Sequence, residues 1–360
     1  MHRLLLVLLV QLLWCGPASA WSLRYIGQQI LPFGHAHGGT TVGGLSGLDF
    51  DPARRHFYAI SDDRSELHPA RFYTIRLDLG EFNTRPDPGH AGVLITSAVT
   101  LHDENGHAFG RGQVDPEAIR YDPKGDSLLW SSEGDARHGI PPRVRESALD
   151  GTYRRTLPLP ERYVPREGGG VRYNLAFESL AIGADGRRAY VATENALVQD
   201  GPAADARQGS LCRVLVHDME GGQPLAEYAY RTDAVTVPPA LPIMIHTNGL
   251  VELLALDARR LLALERSYTQ MAGNSIRLFL VEMNGATDVG NVASLSAGGF
   301  IPLAKTLLLD LASLGIQLDN IEGLSWGPVL PNGHRTLIMV SDNNFSRHQV
   351  TQFLAFEVVP

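Results

Sequence analysis

D-N-I-E-G-L-S at Asp319–Ser325, the apolar run Leu337–Val340 and S-D-N-N-F at Ser341–Phe345 decide the fold. Together they read as a strand, a turn and a second strand ending in an acid. The same unit recurs upstream. F-E-S-L at Phe177–Leu180 leads to T-E-N at Thr193–Asn195, and P-E-A-I at Pro116–Ile119 leads to S-E-G-D at Ser132–Asp135. L-S-G-L at Leu45–Leu48 leads to S-D-D at Ser61–Asp63, and a weaker copy, N-G-L at Asn248–Leu250, leads to L-E-R at Leu264–Arg266.

The units recur at intervals of roughly 60–77 residues, longer than the ~40–50 residues of compact propeller blades. Loops such as Asp135–Pro142, Pro165–Arg172 and Val198–Gly209 account for the excess. Short β-rich runs divided by D-G, N-G and P-x-G turns mean sheet throughout. Radial repetition of such sheets hides the edges that antiparallel proteins otherwise expose. The expected fold is all-β: a β-propeller of five or six blades, each a four-stranded antiparallel sheet. Five units are countable. A sixth, degenerate blade has room in Val281–Leu314, where Leu303–Leu314 reads equally as helix or strand. The strand Trp21–Leu31 is placed to complete the last blade. A large β-sandwich is the alternative, but it leaves the repeated acids unexplained.

Those acids occupy two stations per unit. Ser46, Glu117, Glu178, Asn248 and Glu322 fill the first; Asp62, Glu133, Glu194, Glu265 and Asp342 fill the second. In the first three units the two stations stand 16 residues apart. Blades would bring equivalent positions around one axis, where clustered carboxylates need protons or cations to offset their repulsion. An all-oxygen set without Cys or clustered His favours a hard cation, Ca²⁺ before Mg²⁺. Strand-end capping is the plainer reading of any single acid. Arg71 and Arg266 accompany the units and are expected at the channel mouth, holding an anionic group bidentately.

The 360 residues include 19% charged side chains, with a formal net charge of −8. That balance argues against a nucleic-acid-binding surface. Arg3, the apolar run Leu4–Leu13 and the small-x-small site Ala18-Ser19-Ala20 read as a signal peptide. The expected product is one domain over residues 21–360, periplasmic or secreted, monomeric and without a membrane span. One cysteine, Cys212, remains in it, so no internal disulfide is expected. G-L-S-G at Gly44–Gly47 lacks the nucleophile elbow, and the sequence has no P-loop, dinucleotide-binding glycine pattern or CxxC pair.

The ordered strings G-L-S-G-L-D-F-D, S-D-D-R-S, D-P-E-A-I, S-S-E-G, F-E-S-L, T-E-N-A-L, L-A-L-E-R, D-N-I-E-G-L-S and S-D-N-N-F resemble the phytase-like family. This family carries the label "esterase-like activity of phytase". The likeness runs from about Gly43 to Phe356. It implies an exported β-propeller related in architecture to calcium-dependent propeller phytases. V-D-P-E-A-I at Val114–Ile119 departs from their D-D-P-A-[IV]-W signature in lacking the paired Asp and the Trp. The implied function is calcium-dependent hydrolysis of a small anionic ester, a phosphate ester first. Glu117, Glu178 and Glu322 would be catalytic, as ligands or bases. Asp62, Glu133, Glu194, Glu265 and Asp342 would hold the metal, and Arg71, Arg266 and Asn343 the substrate. A lactonase-like carboxylic-ester hydrolase and a non-catalytic, calcium-stabilised binding propeller of the cell envelope are the alternatives.

Overall fold

A computed structural model describes residues 22–360. The signal peptide expected over residues 1–20, and Trp21 after it, lie outside the described residues. The chain is a β-propeller of five blades, each a four-stranded antiparallel sheet. Blade one is built from Leu45–Asp51, His56–Ser61, Arg71–Leu77 and Val93–Thr100. Blade two takes Pro116–Asp122, Ser127–Ser132, Arg143–Ala148 and Tyr153–Leu157, and blade three takes Phe177–Ile182, Arg188–Thr193, Leu211–Asp218 and Pro224–Arg231. Blade four is His246–Ala255, Arg260–Thr269, Gly273–Glu282 and Ala304–Asp310. No sixth blade hides in Val281–Leu314. Ala304–Asp310 is the outer strand of blade four, and Leu311–Leu314 after it is a 3-10 turn.

Blade five combines both ends of the described chain. Asn320–Gly327, Thr336–Asp342 and Thr351–Val359 supply three strands, and Ser22–Leu31 supplies the fourth. Leu23 pairs with Val358 and Leu31 with Thr351 in an antiparallel ladder. Gln352 Nε2 donates to Gln28 Oε1 at 2.6 Å, satisfying buried polar groups inside the seam. The ring is therefore closed by strand pairing, which covers an edge that would otherwise invite association.

One apolar cluster fills each gap between neighbouring blades. Strand alternation sends successive side chains to opposite gaps. Ile338 and Val340 pack with Phe57 and Tyr73 of blade one, whereas Leu337 and Met339 pack with Leu262 and Leu264 of blade four. With both faces covered, the middle strands are near-continuous apolar runs rather than alternating ones. The innermost strands follow one another around the axis, each touching the next. Arg120 pins them across it. Its guanidinium donates to Leu48 O at 2.6 Å and Leu253 O at 2.8 Å, and Nη2 meets the buried Glu252 carboxylate at 2.8 Å.

Candidate functional site

The innermost strand of every blade carries a β-bulge against its neighbour, between Leu45 and Gly47, Pro116 and Ile119, Phe177 and Ser179, Leu250 and Glu252, and Ile321 and Gly323. A bulge leaves a residue unpaired and re-aims its side chain. In four blades a first-station residue sits in it: Ser46, Glu117, Glu178 and Glu322. The residue before each bulge pairs with the residue before the second station: Leu45 with Ser61, Pro116 with Ser132, Phe177 with Thr193, Ile321 with Ser341. The repeated acids are thus equivalent by ladder register as well as by sequence.

Blade four corrects the sequence reading. Its bulge falls at Val251, not Asn248, and Leu250 pairs with Glu265. The second station there is consequently Arg266. A one-residue slip on a strand moves a side chain to the other face, and Glu265 does face away. It accepts from the Tyr230 hydroxyl at 2.7 Å, from Asp233 N at 2.9 Å and from Asn248 Nδ2 at 2.8 Å, and it pairs with Lys305. Its lone pairs are committed to blade structure, so Glu265 is not among the acids that converge.

Seven other acids do converge, around a cavity of about 820 Å³ at one end of the axis. Asp62, Glu117, Glu178, Glu322 and Asp342 line it, with Glu133 and Glu194 packed behind. Two further acids, Asp115 beside Glu117 and Asp319 in the cavity lining, were not among the expected site residues, nor was Arg64, the partner of Asp115. Asp115 stands two residues before Glu117, and Arg64 Nε donates to it at 2.8 Å. Arg64 lines the cavity, as does Arg266.

Two triads stand out. One oxygen from each of Asp115, Glu117 and Glu133 lies within 4.8 Å of the others, and the same holds for Glu133, Glu178 and Glu194. Glu133 is common to both. Its Oε1 accepts from Ala176 N, while its buried Oε2 has no hydrogen-bond partner. Glu194 Oε1 is equally buried and lacks a donor, with Arg266 Nη2 3.6 Å away. Orphaned buried carboxylate oxygens are costly, and here both belong to residues of one triad. This donor set fits a hard cation such as Ca²⁺, which takes several carboxylate oxygens. Gly249 makes room: a Cβ there would stand 2.1 Å from Glu194 Oε1. Gly44, at φ +63°, does the same for Asp62.

The electrostatics agree. Burial first, then neighbouring carboxylates, push Asp62, Glu117, Glu133 and Glu178 well above the usual carboxylate range. Burial raises Asp342 to about 8, with Glu322 adding to it, and raises Glu194 to about 7 against the pull of Arg266. Asp115 is raised to about 6 by burial, opposed by Arg64. Glu322 is also raised by burial, and Arg266 holds it back through a 2.9 Å hydrogen bond.

Two residues expected to bind substrate do not reach the cavity. Arg71 is buried in blade one, where it donates to the Tyr73 hydroxyl at 2.6 Å, Asp63 Oδ2 at 2.8 Å and Thr41 O at 3.0 Å. Asn343 is also buried, and its Oδ1 accepts from Gly44 N at 3.1 Å and Phe345 N at 3.0 Å. Both fix loops in place. Its neighbour Asn344 lines the cavity instead.

Fold and site together define a five-bladed β-propeller with a carboxylate-lined axial cavity. The family described as "Phytase-like: Esterase-like activity of phytase" matches residues 40–345, and the chain belongs to that family. Among curated protein sequences nothing matches significantly. Solved structures are similar to the chain only distantly. An exo-β-1,3-galactanase from Phanerochaete chrysosporium is 11% identical with a TM-score of 0.47, over 92% of this chain and 64% of that one. The catalytic domain of a GH62 α-L-arabinofuranosidase from Coprinopsis cinerea is 8% identical with a TM-score of 0.45, over 93% and 97%. A periplasmic gluconolactonase from Pseudomonas aeruginosa is 15% identical with a TM-score of 0.37, over 89% and 90%.

Proposed function

We infer that the protein is an exported, calcium-dependent ester hydrolase whose substrate is a small anionic ester, a phosphate ester foremost. The observation that carries this reading is the pair of acid triads sharing Glu133, with orphaned oxygens on Glu133 and Glu194. Asp115, Glu117, Glu133, Glu178 and Glu194 would hold the cation. Bound there, Ca²⁺ would neutralise phosphate charge and orient an attacking water.

The remaining groups have roles of their own. Arg266 lines the cavity and would offer its positive charge to an anion there. Arg64, tied to Asp115, flanks the same space. Asp342 lines the cavity and burial favours its protonated form, so it would serve as the acid toward a leaving alkoxide.

The test uses chelator-stripped protein, p-nitrophenyl phosphate and p-nitrophenyl butyrate, with and without Ca²⁺. Calcium-dependent hydrolysis of the phosphate ester, lost in Glu133→Gln, is expected. Turnover of the butyrate alone would indicate a lactonase-like enzyme. Calcium binding without turnover of either ester would indicate a binding module.

A further inference from the structure

The acid cavity has one wall of different character. Its lining is polar almost throughout, and Ile245 and Leu318 are the only large aliphatic side chains in it. Ile245 is 66% exposed and stands at the end of the strap 236–245. That strap is held against the hairpin turn of blade four. Ile245 N donates to Gln270 Oε1 at 3.2 Å, Gln270 N donates to Ile245 O at 2.8 Å, and Thr269 Oγ1 donates to Val237 O at 2.5 Å. Next to Gln270, Met271 adopts φ 72°, a left-handed conformation that a large side chain seldom takes, and is 87% exposed. Ile243 is 90% exposed, and Leu241 and Val237 are exposed beside it in the chain. Tyr268, Gly273 and Asn274 of the same hairpin line the cavity. Exposed aliphatic side chains thus stand on both sides of the Ile245–Gln270 link, Ile243 two residues before Ile245 and Met271 next to Gln270, with Ile245 itself in the cavity wall.

We propose that Ile245, with Ile243 and Met271, forms a ledge that seats the apolar end of the ligand whose anionic head lies in the acid cavity. The substrate class is then an amphiphilic ester with an alkyl chain, not a compact polyanion. Two features of the molecule favour this occupant. Ile245 belongs to the ledge and to the cavity lining at once, and the same lining carries two guanidiniums, Arg64 and Arg266, that would meet an anionic head. Packing the chain on the ledge removes apolar surface from water on both partners, with a gain proportional to chain length. The inference rests on the anionic-ester reading of the cavity, and the experiment separates the two.

Calorimetric titration of the calcium-loaded protein with ethyl, butyl and hexyl phosphate measures the chain-length dependence directly. The dissociation constant is expected to fall by at least about tenfold from ethyl to hexyl. In Ile245→Ser and in the double variant Ile243→Ser, Met271→Ser, that dependence should flatten to within about twofold, because the apolar contact is gone. These side chains face solvent, so their replacement leaves the core intact. Leu94→Ser, an exposed aliphatic on blade one, should keep the full dependence. Equal affinities for all three phosphates would overturn the ledge proposal while sparing the anionic-ester reading. Binding of none would overturn both. Sedimentation with phosphatidylcholine vesicles that depends on Ile243 and Met271, with no chain-length effect, would make the ledge a membrane contact and also refute the proposal.

Discussion

Arg266 Nη2 donates to Glu322 Oε1 at 2.9 Å, joining the second station of blade four to the first station of blade five. Four of the five second stations are acids, and Arg266 is the one cation among them. It also approaches Glu194 Oε1; burial pulls its pKa down, but Glu194, Glu322 and Glu178 more than offset that and keep it protonated. Arg266→Gln should destabilise the metal-free protein by about 3 kcal/mol near neutral pH, because breaking a buried pair strands the remaining charges. Urea denaturation in the presence of chelator checks this. The loss should shrink at low pH, where the acids take up protons.

Stability should fall as pH rises when no metal is present. Unfolded carboxyls titrate near ~4, whereas Asp115, Glu194 and Asp342 are raised to about 6, 7 and 8 in the fold. The native state thus binds more protons than the unfolded state over this interval, so the unfolding free energy declines with pH. The contribution is complete below the unfolded value and is lost through the folded ones. Melting temperature in chelator should drop between about pH 5 and about pH 8.5, and saturating Ca²⁺ should flatten the curve. A flat curve in chelator would show the acids to be compensated already.

The sequence made the ring of acids visible because blades one to three share one spacing and Glu117, Glu178 and Glu322 recur at the equivalent first station. It misled in blade four, where the only acid near the expected position is Glu265. Which face Glu265 occupies depends on the Leu250–Glu265 pairing, a ladder fact with no local signal. Asp115 stands in V-D-P-E-A-I, which lacks the paired Asp of the phytase signature and so did not mark it as a site residue, and Arg64 reads as an ordinary surface residue. The outer strands Tyr153–Leu157 and Pro224–Arg231 escaped because their one-sided burial gives a weak apolar pattern.

Arg71 offers a contrast to Arg266. All its donor nitrogens are used inside blade one, with Asp63 as its acid. Arg71→Met should cost about 3–5 kcal/mol by leaving Asp63 buried and unpaired. Chemical denaturation gives the loss, and phosphate binding by the folded fraction should be unchanged. A weakened phosphate affinity at unchanged stability would return Arg71 to the substrate site.

Deleting Ser22–Leu31 should open the ring. Thr351–Val359 would then present unpaired N–H and C=O groups along a flat apolar strand, an arrangement that templates association. Size-exclusion chromatography should show oligomers, and the melting temperature should drop. A monomer with unchanged melting would mean that the seam contributes little to closure.

Glu178 and Glu322 occupy equivalent bulges but differ in their partners, and this predicts opposite signs for the same substitution. Glu178 is raised by burial and by Glu133, Glu194 and Glu322, with Arg266 pulling it down. Glu322 accepts from Arg266 at 2.9 Å and from Asn320 Nδ2 at 3.0 Å. In chelator, Glu178→Gln should be neutral or stabilising, since it removes like-charge repulsion. Glu322→Gln should cost about 1–3 kcal/mol, since it weakens a charge-assisted bond and leaves Arg266 less compensated. Calcium reverses the order for Glu178. If the wild type gains about 2.7 kcal/mol at a calcium concentration ~100 times its dissociation constant, a tenfold weaker Glu178→Gln site gains only about 1.4 kcal/mol. Thermal melts of both variants with chelator and with Ca²⁺ read all four quantities. Equal destabilisation of Glu178→Gln under both conditions would make Glu178 a structural acceptor and remove it from the cation site.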